Sequence, residues 1–229
     1  MFQKDGASTL EEKVYKILED QILSQKLRAG DSVTEMKLSK ELGVSRTPVR
    51  EALQRLDREG LIKLIPNKGA VVIGISERDL IDIYKIRTRL EGLAARIAAE
   101  NADESLARQL GDNIDLTEFY MAKGNIEKVK DLDSDFHDII YRYCESRMLG
   151  KTLSELHRYI ACYRKLSLSV DGRIEKSLAE HREIYDAIER GDAQSADELM
   201  SAHVEHALKN LLTIIQNQDL KDTRQWDSP

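Results

Sequence analysis

No stretch of this 229-residue chain approaches the ~20 consecutive apolar residues that a membrane-spanning helix needs. The opening residues, MFQKDGASTLEEK, lack the apolar segment of a secretory signal. Both absences lead to the expectation of a cytoplasmic protein with no membrane partner. Cysteine is scarce, and the two present, Cys144 and Cys162, have no metal-type spacing. They read as reduced, buried thiols rather than as a disulfide. No His-Glu-x-x-His run occurs, so the commonest helical metallohydrolase pattern is missing. The single tryptophan, Trp226, lies in a polar terminal stretch and receives no role.

What is present is ordinary for a globular chain: 41% hydrophobic and 33% charged residues, enough for one large or two modest domains. The net charge of −6 argues against nucleic-acid binding only if the chain is taken whole. Residues 1–75 carry 13 Lys/Arg against 11 Asp/Glu, whereas residues 76–229 carry 22 against 30. A mildly basic segment joined to an acidic one suits a two-part DNA regulator.

In the first segment, Val14, Ile17, Leu18, Ile22 and Leu23 fall at helical spacing over residues 10–27. Ala29-Gly30-Asp31 breaks that pattern. Thr34 is placed to cap a short helix over 35–42, with Met36, Leu38 and Leu42 inward. Gly43 supplies the turn, where a positive φ is easiest for glycine. Ser45 is placed to cap a third helix reaching about Arg58, with Pro48 in its first turn and Val49, Ala52, Leu53 and Leu56 as its apolar stripe. Helix, glycine turn, helix is helix-turn-helix grammar. Arg46 and Arg50, four apart, share the polar face of the third helix with Thr47 beside them. In such motifs the start of the second helix enters the major groove, where an arginine gripping guanine O6 and N7 contributes about 1–3 kcal/mol of discrimination. An ordinary solvated helix face remains the alternative at this point.

After Gly60 the pattern becomes β-like: residues 61–65 and 69–73 are short apolar runs separated by Pro66-Asn67-Lys68-Gly69, a strong turn signal. A two-stranded hairpin there is a wing, with Lys68 placed to meet a phosphate and Gly69 allowing close backbone approach.

The string at 38–53, ending in SRTPVREAL, followed by Leu56 and Glu59-Gly60-Leu61, closely resembles the DNA-binding domain of the GntR family. The resemblance covers about residues 10–73. It implies that Ser45, Arg46, Thr47 and Arg50 meet bases or phosphates of a double-stranded operator, with Lys68 and Gly69 at the wing tip. Some family members carry an arginine where this chain has Met36, so one family contact is missing or made elsewhere.

The second segment shows no strand pattern. Six helices are expected, over about 76–101, 103–124, 125–144, 147–168, 174–190 and 193–216. Domain bounds of 1–75 and 76–218 follow, with a polar and disordered tail over 219–229. The fold class is mainly α: a winged helix-turn-helix with three helices and a two-stranded wing, then an all-α six-helix bundle. All five histidines lie here, at 137, 157, 181, 203 and 206. Asp133 and His137 are an i, i+4 pair, while His181 and His203 fall on two other helices. Three imidazoles and a carboxylate suit a borderline divalent metal such as zinc, although a lone histidine on an amphipathic helix is usually structural.

"DSDFH" at 133–137, the run at 181–188 and "MSAH" at 200–203 are similar to the FCD domain of the FadR subfamily, over about residues 77–215. The resemblance implies that Asp133, His137, His181 and His203 coordinate the ion, zinc or alternatively nickel or another transition metal. Six helices point to the VanR-like group. By position in the family pattern Arg87 is the candidate cation for a small carboxylate effector, with Arg164 weaker and an Arg87–Glu91 ion pair as the rival reading. The expected protein is a homodimeric regulator, a repressor by family precedent, that binds a palindromic operator. Three rivals remain: a metal sensor, a bundle that binds an acyl-CoA, and a metal-dependent hydrolase.

Overall fold

The computed structural model describes residues 9–223 except Asn67 and Ser169, and for 217–223 it describes the backbone alone. The chain divides into two compact units between Leu80 and Ile81.

The first unit opens with α1 (Leu10–Leu23), capped by the Thr9 hydroxyl accepting from the Glu12 amide at 3.1 Å. Its buried face of Val14, Leu18 and Ile22 packs on α3 (Arg46–Arg58), which contributes Val49, Ala52, Leu53 and Leu56. Burying each such large aliphatic side chain stabilises the unit by about 1.5–3 kcal/mol before entropy is counted. Between them, α2 (Glu35–Leu42) starts at Thr34, whose hydroxyl accepts from Lys37 N, and stops at Gly43 with φ 65°. Both the cap and the left-handed stop fall where the residue types require them. Ser45 occupies the cap position of α3, but its hydroxyl makes no capping bond.

The wing is β2 (Ile62–Ile65) paired antiparallel with β3 (Gly69–Val72), with Lys63 opposite Val71. A third strand, β1 (Ser32–Val33), adds to the free side of β3, so the sheet order is β1-β3-β2. The sequence reading expects two strands; two residues are too short to show a period of two. Gly69 sits at φ 95°, and a Cβ there would overlap the Val33 carbonyl oxygen. Its structural requirement is therefore the close approach of β1.

Six helices follow among the described residues: α4 (Glu77–Glu100), α5 (Glu104–Ala122), α6 (Ile126–Tyr143), α7 (Arg147–Ser167), α8 (Arg173–Glu189) and α9 (Ala193–Thr223). The hydroxyl of Ser146 and the side-chain oxygens of Asp103 and Asn125 cap α7, α5 and α6. Alanines 94, 95, 98 and 99 on α4 and Leu106, Leu110, Phe136, Ile140, Leu153, Ile160, Ile184, Ile188, Met200 and Val204 form the buried core. At Gly92 a Cβ would overlap the Asp197 and Ser201 side chains, so this glycine lets α4 approach α9. The last helix runs to Thr223, past the Gln216 and the tail start at 219 that periodicity suggests. Asn67, Ser169 and the tail from 224, including Trp226, lie outside the described residues.

Candidate functional sites: a nucleic-acid face and a metal cluster

On the first unit, the start of α2, the start of α3 and the wing surround a groove of about 560 Å³, lined by Thr34, Glu35, Met36, Arg46, Arg50 and Lys68 among others. The side chains of Arg46 and Arg50 are 63% and 55% exposed. Ser45 and Thr47 are exposed at the start of α3, and Lys68 is exposed beside Gly69. Met36, expected to face inward, instead projects its apolar side chain from the same face, and Leu38 alone of α2 is buried. One member of this surface escapes sequence reasoning. Glu35 accepts from Arg50 Nε at 2.8 Å and Arg50 Nη2 at 2.9 Å, and from Arg46 Nη2 at 3.2 Å. Hydrogen bonding from Arg50 holds the Glu35 carboxyl below its ordinary range, so it is ionised.

In the second unit, α6 supplies Asp133 and His137, α8 supplies His181 and α9 supplies His203. One ligand atom from each lies within 4.8 Å of the others, and all four residues are buried. All four expected ligands thus come together. Their tautomers follow from carboxylates that the sequence reading did not assign to the site. Glu91 on α4 lies 2.6 Å from His137 Nδ1. Burial opposes its charge, but Arg87 and His137 outweigh that and hold it well below the usual carboxylate range. Glu180 on α8 lies 2.7 Å from His203 Nδ1. Burial opposes its charge too, yet His203 and Arg173 bring it down to about 2. An ionised carboxylate only accepts, so both Nδ1 atoms donate.

Burial, reinforced by Arg164, pushes His137 down to about 3, and burial holds His181 well below its ordinary value. His137 is therefore neutral near pH 7, and its Nε2 is a bare lone pair. The Nε2 of His203 faces it at 3.2 Å. Two ring nitrogens whose protons point away from each other need a positive charge between them, either a proton or a metal ion. The His181 Nε2 is buried with no hydrogen-bond partner and lies 3.7 Å from Asp133 Oδ1. Phe136 stacks on the His181 ring at 4.0 Å and fixes its plane. This donor set fits a divalent cation, and carboxylates behind the imidazoles are the usual way to orient such ligands.

Asp133 is buried, which opposes its charge, but Arg164 keeps it well below the usual range. Arg164 Nη2 donates to Asp133 Oδ2 at 2.7 Å and its Nη1 to His157 Nε2 at 2.9 Å, while Ser177 donates to Asp133 Oδ1 at 2.9 Å. The described donors of Arg164 thus serve Asp133 and His157. Arg87 forms the ion pair with Glu91 at 2.6 Å that sequence spacing offers as its rival role, and its Nη1 has no hydrogen-bond partner. The buried hydroxyls of Tyr84 and Tyr141 lie against Arg87 and Glu91, without a hydrogen bond of ordinary geometry. His157 is buried against Arg164 and Asp138, and His206 is exposed and bonds Glu180 at 2.9 Å.

The first unit is thus a winged helix-turn-helix, the fold of a DNA-binding head, and the second an all-helical bundle that buries a cluster able to hold a metal. Residues 10–72 match "Bacterial regulatory proteins, gntR family", and residues 82–206 match the FCD domain. The chain belongs to the GntR family of bacterial transcription regulators, with a C-terminal FCD domain. It is 30% identical over 198 residues to a protein of Paenarthrobacter nicotinovorans named "Probable D-xylose utilization operon transcriptional repressor", covering 86% of each chain. It is 26% identical to the Escherichia coli HTH-type transcriptional repressor RspR, over 93% of this chain and 94% of that one. The solved structure of E. coli McbR/YncC shares the fold with a TM-score of 0.70 at 21% identity, covering 91% of this chain and all of that one. These relatives are transcription regulators and not enzymes, which sets the hydrolase reading aside. Among the described residues no helix is long and apolar enough to cross a membrane.

Proposed function

We propose that this chain is a ligand-responsive repressor that binds a palindromic operator as a homodimer and takes its signal at a divalent metal held by Asp133, His137, His181 and His203. The observation that carries the sensing half is the convergence of four buried donors with two Nε2 atoms facing each other. The donor set suits zinc, with nickel as the nearest alternative. When bound, the ion supplies a Lewis-acidic contact for a carboxylate oxygen of a small organic acid. The chain's own contribution to such an acid is Arg87 Nη1, with the hydroxyls of Tyr84 and Tyr141 as additional donors. Arg164 holds Asp133 in place. On the head, Ser45, Arg46, Thr47 and Arg50 read the major groove, and Lys68 and Gly69 meet the backbone at the wing. A ligand with different affinities for two conformations of the bundle changes DNA affinity by a coupling free energy.

One observation favours a second reading, in which the ion itself is the signal. The cavity lined by Arg87, Asp133, Arg164, Ser177 and His203 has a volume of about 20 Å³. That is room for one water and not for an organic acid, so acid binding requires the bundle to open. The test is elemental analysis of tag-free protein, followed by thermal shift with a panel of organic acids, with and without chelator. Acid-dependent stabilisation that vanishes with chelator supports the acid sensor. Stabilisation by metal alone, with operator affinity following the metal, supports the second reading. A protein without stoichiometric metal, or a quartet variant that keeps it, rejects both. Sedimentation of the protein on its operator tests the homodimer.

A further inference from the structure

We propose that Glu35 is a specificity-setting residue of the DNA-reading surface: it holds Arg50 edge-on and Arg46 beside it, and so limits which donors reach the DNA. The inference rests on the reading that the start of α3 enters the major groove. Glu35 is the first residue of α2, and its two carboxylate oxygens accept from both Nε and Nη2 of Arg50. This parallel, two-bond geometry is the strong form of the arginine–carboxylate pair. Arg46 adds a single bond at 3.2 Å.

A guanidinium has five N–H donors in a fixed fork. Glu35 occupies the Nε–H and one Nη2–H of Arg50. Three donors remain, and two of them, one Nη1–H and the second Nη2–H, point along the side chain. That end-on pair matches guanine O6 and N7. The side-on pair, which grips a phosphate equally well, is taken.

Charge points the same way. A carboxylate on a DNA-facing groove opposes the phosphates, so it weakens contacts to any sequence. Two arginines with one glutamate present about one net positive charge where they otherwise present two. The chain gives up non-specific attraction and gains a pre-set arginine. An exposed pair of this kind contributes little to stability, which makes a purely structural role a poor account of it.

The test compares wild type, Glu35→Ala, Glu35→Asp and Arg50→Ala in the full chain. The probes are a duplex selected from a random pool by wild-type protein and a scrambled duplex of equal length, read by fluorescence anisotropy across a salt series. Asp keeps the charge but is one methylene too short to hold the same fork. The expected result is a selected-to-scrambled affinity ratio that falls roughly tenfold in both Glu35 variants. Only Ala should also tighten binding to scrambled DNA, with the log–log salt slope steeper by about one unit. If Asp behaves as wild type while Ala tightens both duplexes equally, Glu35 acts through charge alone and positioning is rejected. A lowered unfolding temperature with an unchanged ratio rejects it as well. Failure of the underlying reading looks different: Arg50→Ala then leaves selective binding intact.

Discussion

Glu91 and Glu180 show how a single carboxylate sets what its neighbour can do. Each accepts from the Nδ1–H of an imidazole and so leaves the opposite ring nitrogen, Nε2, turned toward the other histidine. Glu91→Gln replaces an anion with a neutral amide and should weaken metal binding by about 10–100-fold, measured by competition with a chromophoric chelator. Met36, 73% exposed, is the residue-scale gap on the DNA face. Met36→Arg should tighten operator binding and steepen its salt dependence by about one phosphate contact, read by anisotropy at several salt concentrations. The grouping of Asp133, His137, His181 and His203 was legible in the sequence because Asp133 and His137 share one helical face and the motifs around His181 and His203 are specific. Glu91, Glu180 and Glu35 were not legible in those roles. Each acts on a partner 46, 23 or 11–15 residues away, and only tertiary packing brings them together.

At the scale of elements, chain punctuation decided most boundaries. Thr34 and Gly43 bracket α2 as expected, and Asp103 and Asn125 open two helices of the bundle. The strand β1 stayed hidden because two residues carry no periodicity, and its existence changes what Gly69 is for. Gly69→Ala should destabilise the first unit by at least about 1–3 kcal/mol, since the residue would hold a positive φ with its Cβ against the Val33 carbonyl. Denaturant unfolding measures that loss. The extra turns of α9 beyond Gln216 are polar, so no apolar stripe announced them.

For the whole molecule, the two units rest on different things. Both have an apolar core, but among the described residues the head buries a single carboxylate, Glu19, whereas the bundle also buries Asp133, Glu91, Arg87 and Arg164 together with the imidazoles of His137, His181 and His203. Such groups are stabilising only as a complete set. An ion present at 100 times its dissociation constant adds about 2.7 kcal/mol to the unit that binds it. Chelation should therefore lower the unfolding temperature of the bundle and leave the transition of the head unchanged, as separate calorimetric transitions would report. Charge partition between the segments was visible in the composition; the size of the cavity beside the ligands was not, because it depends on how six helices close.

The near-complete burial of the four ligands carries a consequence for time rather than affinity. His137 is 0% exposed, His203 4% and Asp133 8%, so an ion held there meets solvent only when helices part. Exchange then runs at the rate of that opening, however favourable the competing metal. A metal bound by these four residues would therefore leave slowly, and a chelator would strip it over a time set by helix opening rather than at once.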